Sequence, residues 1–212
     1  MNILEYIKVF PNKRIVNIKD ASRKDLASLF KDLGFTRGVE IGTEKGKYAY
    51  QLCRSNPDLR LWCIDPYEFY ADGHGYKDNV DQKIHENNFY RAKDRLARFN
   101  CEIVRNYSRN AVDMFADGSL DFVYIDGNHK LEYVIEDLTL WTPKVRVGGI
   151  IAGHDYIKLR GQHFSHVPYA VEAYMRSYFI FPLFVLDNKN NTRTEEENAK
   201  MDRIRSWFFI KQ

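Results

Sequence analysis

Gly38-Val39-Glu40-Ile41-Gly42-Thr43-Glu44-Lys45-Gly46, followed by the run Leu59–Ile64 and then Asp65-Pro66, is the stretch whose reading decides the fold. A short β-rich run enters a glycine turn. A helix then begins near Lys47 with Tyr48, Leu52 and Cys53 on one face, and a second apolar run ends on an acidic residue. Glycine at 42 lets the chain turn sharply at a strand end, and glycine at 46 lets a ligand approach the backbone. Open α/β sheets bind ligands beyond the carboxyl ends of their strands. Asp65 falls 23 residues after Gly42, where a carboxylate can accept both hydroxyls of an adenosine ribose. Alone, the glycine turn is a plain strand-to-helix connection and Asp65 a turn cap. In this order and spacing the two together point to a nucleoside ligand.

The pattern repeats outward from that unit. Upstream, Ser22 followed by Asp25 reads as a capping box, and Leu26, Leu29, Phe30 and Leu33 recur at helical spacing until Gly34. Downstream come a helical stretch over Val80–Phe99, a strand at Cys101–Val104, a short helix at Ala111–Phe115 and an almost wholly apolar strand at Leu120–Ile125. Leu131–Trp141 carries an apolar helical stripe ended by Pro143. Gly148-Gly149 turns into a strand at Ile150–Ala152, and Pro168–Tyr178 is a further helix. The strands Phe181–Leu186 and Trp207–Ile210 are separated by the polar stretch Asp187–Arg205, with no room for a packed crossover helix, so they are expected to pair antiparallel. The expectation is a doubly wound α/β fold: a seven-stranded, mostly parallel sheet with a C-terminal antiparallel pair. It forms one domain over residues 1–212, with a helical extension at 1–34 and the core at 35–212.

Composition narrows the function. With 44% hydrophobic and 29% charged residues, the chain has the balance of a soluble globular protein. A net charge of +3, evenly spread, gives no argument for nucleic acid, and the apolar runs are too short to span a bilayer. The start, MNILEYIKVFPNKR, lacks the features of a secretory signal. Three cysteines (Cys53, Cys63, Cys101) without CxxC spacing suggest neither a disulfide framework nor a zinc site, and Cys63 reads as a buried, inert thiol. The expected compartment is the cytoplasm.

A short-chain dehydrogenase would need a Tyr-x3-Lys pair, and no tyrosine here has a lysine four residues on. The chain instead resembles the class I methyltransferases that use S-adenosylmethionine (SAM), whose Rossmann-like sheet ends in an antiparallel strand pair. Val39–Gly46 resembles their first motif, Asp65 their ribose-binding acidic residue, and Asn106-Tyr107-Ser108 the segment that contacts adenine. The resemblance implies that Glu40, Gly42, Thr43, Gly46, Asp65 and Ser108 bind SAM. It narrows at Asp121–His129, Gly148–Tyr156, Trp141-Thr142-Pro143-Lys144 and Ser206-Trp207-Phe208, which look like the small-molecule and sugar O-methyltransferases related to macrocin- and cephalosporin-pathway enzymes. Asp65-Pro66-Tyr67 also resembles part of the Asp-Pro-Pro-Tyr motif of adenine and amide-nitrogen methyltransferases. That motif belongs after the fourth strand, where this chain has Asp126-Gly127-Asn128-His129, so methylation of DNA or glutamine is set aside.

Asp126 and His154-Asp155 fall at the carboxyl ends of adjacent strands, so their side chains can converge across 28 residues of sequence. Metal-dependent relatives hold a divalent ion at these places. Two carboxylates and an imidazole suit Mg²⁺ or Mn²⁺, although relatives commonly carry an acidic residue where this chain has His154. Methyl transfer needs positioning and a deprotonated acceptor. Of His129, His154, His163 and His166, His129 is the first candidate base, acting with Asp126. The expected acceptor is a hydroxyl on a small molecule or sugar-containing metabolite, with no nucleic-acid or membrane partner. Tyr67–Val80, Tyr156–Val167 and Asp187–Arg205 are expected to shape the acceptor site or a homo-oligomer interface. The alternatives are a metal-independent methyltransferase, a metal-dependent hydrolase using the Asp/His cluster, and a catalytically silent nucleoside-binding protein.

Overall fold

The computed structural model describes residues 7, 13–68, 81–157, 165–187 and 205–212. Its strands are β1 (Ile15–Lys19), β2 (Arg37–Ile41), β3 (Arg60–Ile64), β4 (Cys101–Val104), β5 (Leu120–Ile125), β6 (Val145–Gly153), β7 (Leu183–Asp187) and β8 (Ser206–Ile210). They form one sheet in the order β1-β7-β8-β6-β5-β2-β3-β4. Strand β8 runs antiparallel to both β6 and β7, and every other neighbouring pair is parallel. The chain winds from β2 outward through β3 to β4, then returns to β5 on the other side of β2. The switch point therefore lies between β2 and β5, where such sheets open a crevice.

The helices are α1 (Arg23–Asp32), α2 (Lys47–Ser55), α3 (Gln82–Leu96), the short α4 (Ser108–Ala111), α5 (Leu131–Trp141) and α6 (Val167–Ser177). Strand residues alternate between two separate cores. Phe122 and Tyr124 pack with Leu26 and Phe30 of α1 and Tyr48 and Leu52 of α2. Val123 and Ile125 pack with Val134, Leu138 and Trp141 of α5 and Val171 of α6. This period-two division is what double winding requires, and it explains why β5 reads as continuously apolar. None of the described helices is long and apolar enough to cross a membrane.

Two expectations need correction. The sheet has eight strands rather than seven: Ile15–Lys19 adds parallel to β7, with Val16 and Ile18 buried and Ile15, Asn17 and Lys19 exposed. Only two inward residues and flanking charge hide this edge strand from a periodicity reading, and charge on an edge is a common guard against unwanted pairing. The second correction concerns Gly148-Gly149, which lies inside β6 and not in a turn before it. Gly148 has φ +76°, and the pairing of β6 with β5 shifts register between Leu120 and Phe122. The two glycines accommodate that bulge.

Helix α1 begins as expected. The Ser22 side chain accepts from Lys24 N, and Asp25 accepts from the Ser22 backbone, completing a capping box. Ser22→Ala is expected to lower unfolding stability by about 1 kcal/mol in denaturant titrations.

Candidate active site

The turn after β2 is built on one close approach. Gly42 has φ +87°, and a Cβ there would stand 2.1 Å from the carbonyl oxygen of Asp126. Both the sign of φ and the space demand glycine. Across this contact, Asp126 N donates to Ile41 O (2.8 Å), Gly42 N to Ile64 O (2.8 Å) and His154 N to Ile125 O (3.1 Å). Each bond carries the ladder one residue beyond its strand, so the ends of β2, β3, β5 and β6 are in fixed register. Gly46 caps α2 at φ +65°, and a Cβ there would meet Leu96 and Ala92 of α3 at 3.2–3.3 Å, so α3 packs closely against it.

A cavity of about 450 Å³ opens over these strand ends. Gly42, Glu44, Lys45, Asp65, Pro66 and Tyr67 form its floor and one wall. Tyr107, Ser108, Tyr133, Glu136 and Asp137 also line it, as do Asp126, Gly127 and Asn128. The Asp65 carboxylate accepts from Glu44 N (2.8 Å) through one oxygen and from Tyr67 N (2.8 Å) through the other. This ties the glycine turn to the end of β3 and leaves further lone pairs toward the cavity. Burial holds the Asp65 carboxyl above its ordinary range in spite of those donors. Glu44 and Tyr67 on the cavity lining, and Asp155 in the acid–histidine cluster, have positive φ without being glycine.

Beneath the turn, Glu40 is 2% exposed, and burial with the nearby Asp126 charge drives its carboxyl well above the usual value. Glu40 Oε2 and Thr43 Oγ1 are both buried beneath the turn, and a hydrogen bond from the Thr43 side chain offsets part of the upward push on Glu40.

The ends of β5 and β6 carry the ionisable cluster. Asp126, His154 and Asp155 each present one ligand atom, all within 4.8 Å of one another. His154 Nδ1 is 3.0 Å from Asp155 Oδ2 and 3.7 Å from Asp126 Oδ1. His129 Nε2 faces the same two carboxylates at 3.1 Å (Asp155) and 3.6 Å (Asp126). Asp126 turns its other oxygen to the Arg23 guanidinium at 3.4 Å. Burial raises the Asp126 carboxyl even though His129 and His154 pull it down. For Asp155 burial acts the same way, but the hydrogen bond from His154 and the two imidazoles outweigh it and the net direction is down. His129 is moved upward: burial opposes its charge, and Asp126 and Asp155 prevail.

The other histidines fall outside this cluster. His166 Nδ1 accepts from Leu131 N (3.1 Å), and His166 N donates to His129 O (3.0 Å), so it joins α6 to the start of α5. His163 lies outside the described residues, as do most of the expected acceptor-shaping loops.

Two site residues carried no expectation. Arg23, the first residue of α1, reaches Asp126 and lies over the Tyr48 ring at 5.2 Å. Asp137 is 3% exposed and accepts from the Ser108 hydroxyl at 2.6 Å. Its signal was present, because it interrupts the buried stripe of α5 between Val134 and Leu138. An acidic residue there has either a partner or a task.

Residues 39–156, more than half of the chain, match the family described as a methyltransferase domain, and the chain belongs to that family. An uncharacterized protein of Sinorhizobium fredii (strain NBRC 101917 / NGR234), y4gI, is 26% identical over 123 residues, which are 56% of this chain and 13% of that protein. The chain thus spans about 13% of the length of this curated relative. Among solved structures, an O-methyltransferase from Bacillus cereus in complex with SAH superposes with a TM-score of 0.59 at 16% identity, over 89% of this chain and 80% of that one. A putative caffeoyl-CoA O-methyltransferase from Staphylococcus aureus gives 0.59 at 14%, over 89% and 82%. The N-methyltransferase NodS from Bradyrhizobium japonicum WM9 gives 0.58 at 11%, over 89% and 94%. These likenesses are of fold, and they include both oxygen and nitrogen methylation, so the choice of acceptor has to be argued from the site.

Burial pushes the Asp137 carboxyl up to about 7. A folded-state value above the unfolded one stabilises the protein at low pH, and that contribution is lost as pH rises from roughly 4 toward 7. Asp137→Asn is therefore expected to raise the melting temperature at pH 8 and leave it nearly unchanged at pH 4, as read by thermal denaturation at both pH values.

Proposed function

We propose that the protein transfers the methyl group of SAM to a hydroxyl of a small molecule or sugar-containing metabolite, with a divalent cation at the acceptor end. The observation that supports this most directly is that one cavity joins a nucleoside-type cradle to the Asp126–His129–His154–Asp155 cluster, with Asp126 on its lining.

The cradle fits the cofactor. Asp65 is held by two backbone donors and can still accept from a ribose diol, and Ser108 and Asp137 offer polar atoms on the lining for the base. Glu40 and Thr43, buried beneath the turn, are suited to a charged amino group brought close to it, as the amino-acid portion of SAM would do. Gly42 keeps the backbone flat beside the cluster.

The donor set of Asp126, His154 and Asp155 fits a divalent cation that accepts mixed oxygen and nitrogen ligands, Mn²⁺ as well as Mg²⁺. When bound, such an ion lowers the pKa of an acceptor hydroxyl and fixes its direction. The chain's own groups do the rest. Arg23 occupies one oxygen of Asp126 and so directs the other toward the histidines. His129, between Asp126 and Asp155, accepts the hydroxyl proton, and the two carboxylates stabilise the imidazolium that results. The cavity holds sulfonium and acceptor in line, which is the larger part of the catalysis.

SAM or its demethylated product is expected to bind in calorimetry and to raise the melting temperature. Asp65→Ala should weaken that binding at least about tenfold. Binding of NAD with none of SAM would overturn the cofactor assignment. His129→Ala should slow methyl transfer by roughly a hundredfold while SAM affinity holds. Asp155→Asn should weaken Mn²⁺ affinity, read by metal titration, more than SAM affinity; full activity in strong chelator would remove the cation and leave the methyltransferase.

A further inference from the structure

The three cysteines lie far apart in sequence, but the fold gathers them on the α1–α2–α3 face of the sheet. Cys53 comes from the last turn of α2, Cys63 from β3 and Cys101 from the first residue of β4. All three are free thiols. Cys53 Sγ and Cys101 Sγ lie 3.0 Å apart. A disulfide bond is about 2.05 Å long, so closing this gap needs movement of roughly 1 Å. Cys53 and Cys63 are buried, whereas Cys101 is partly exposed and is the sulfur a small oxidant meets first. Cys101 is also the most acidic of the three. Hydrogen bonds from Cys53 and Cys63 hold its thiol below the ordinary value, while their contacts with Cys101 and burial push the other two up. None of the three borders the cofactor cavity, so the proposed methyl transfer makes no use of them.

We propose that Cys53 and Cys101 form an oxidisable pair, which a peroxide converts to an intramolecular disulfide between the end of α2 and the start of β4. The Cys101 thiolate attacks one oxygen of hydrogen peroxide, forming an S–O bond and breaking the O–O bond. The departing oxygen leaves as hydroxide, takes up the proton that the Cys101 thiol gave up and becomes water, and Cys101 becomes a sulfenic acid. Cys53, giving up its proton, then attacks that sulfur. The S–S bond forms, the S–O bond breaks, and the hydroxide leaves with the proton as a second water. Two thiols and one peroxide give one disulfide and two waters.

The location gives the bond a consequence. Helix α2 starts at the Gly42–Gly46 turn, and β4 leads into Asn106–Ser108. Residues of both segments line the cavity, and the disulfide would link the elements that carry them. It would also close a loop of about 50 residues, which restricts the unfolded chain.

The test is peptide mapping of the full chain after treatment with stoichiometric hydrogen peroxide, digested without reductant. The expected product is a monomer in which the peptides bearing Cys53 and Cys101 are joined with loss of two hydrogens. It should revert in dithiothreitol and melt several degrees higher than the reduced protein. Cys63→Ser should give the same link. Cys53→Ser, treated with an excess of peroxide, should leave Cys101 to run on to the sulfinic acid. A Cys63–Cys101 link, a disulfide between two molecules, or sulfinic acid at Cys101 of the unaltered protein with no disulfide formed would each overturn the proposal. The mapping of the unaltered chain decides the matter even where a variant fails to fold.

Discussion

The site depends on the contact between the Gly42 turn and the end of β5. With no side chain at 42, the backbone of Asp126 sits directly against the turn, and its amide extends the ladder of β2 by one bond. Gly42 and Asp65 stand at the ends of β2 and β3, and the acid–histidine cluster at the ends of β5 and β6. This contact, with the ladder bonds beside it, brings both to one cavity. A larger residue at 42 would push the end of β5 away from the turn.

Charge is managed around Asp126 with few groups. A carboxylate with a side chain only 20% exposed is costly unless partnered. Here a guanidinium takes one oxygen while two imidazoles face the other. Arg23 comes from α1, upstream of the residues that match the family. The helix ahead of the core is thus part of the site's electrostatics and more than a lid on the sheet. Its capping box matters for the same reason, since it fixes the first turn from which Arg23 projects.

Much of this was legible in the residues because local chemistry and global position agreed. Gly42, Asp65, Asp126 and His154-Asp155 announce themselves as strand-end residues, and parallel strands in register bring strand ends together. Asp126, His154 and Asp155 accordingly converge as their positions suggested, and His129 joins them. The misreadings have a common origin in tertiary packing. Gly46 also packs against α3, a neighbour far along the chain that nothing beside it in sequence announces. Gly148-Gly149 looks like a turn until the register shift against β5 is known. Arg23 follows a helix cap like many other arginines, and nothing near it in sequence indicates Asp126. Asp137 could have been found, since it breaks an otherwise apolar stripe.

Strand β1 carries a consequence for how the molecule is made. Among the described residues, Ile15–Lys19 pairs only with Leu183–Asp187, and that strand pairs in turn with Ser206–Ile210. Within this chain β1 and its hydrogen-bonding partner stand far apart, Ile15 facing Leu183. The core around β2, β3 and β5 closes through nearer pairings, whereas β1 has no place in the sheet until β7 is there. Such long-range pairing is slow, and it exposes an edge meanwhile. The lysine and asparagine on its outward face suit that interval: they keep the waiting strand in water until its place exists.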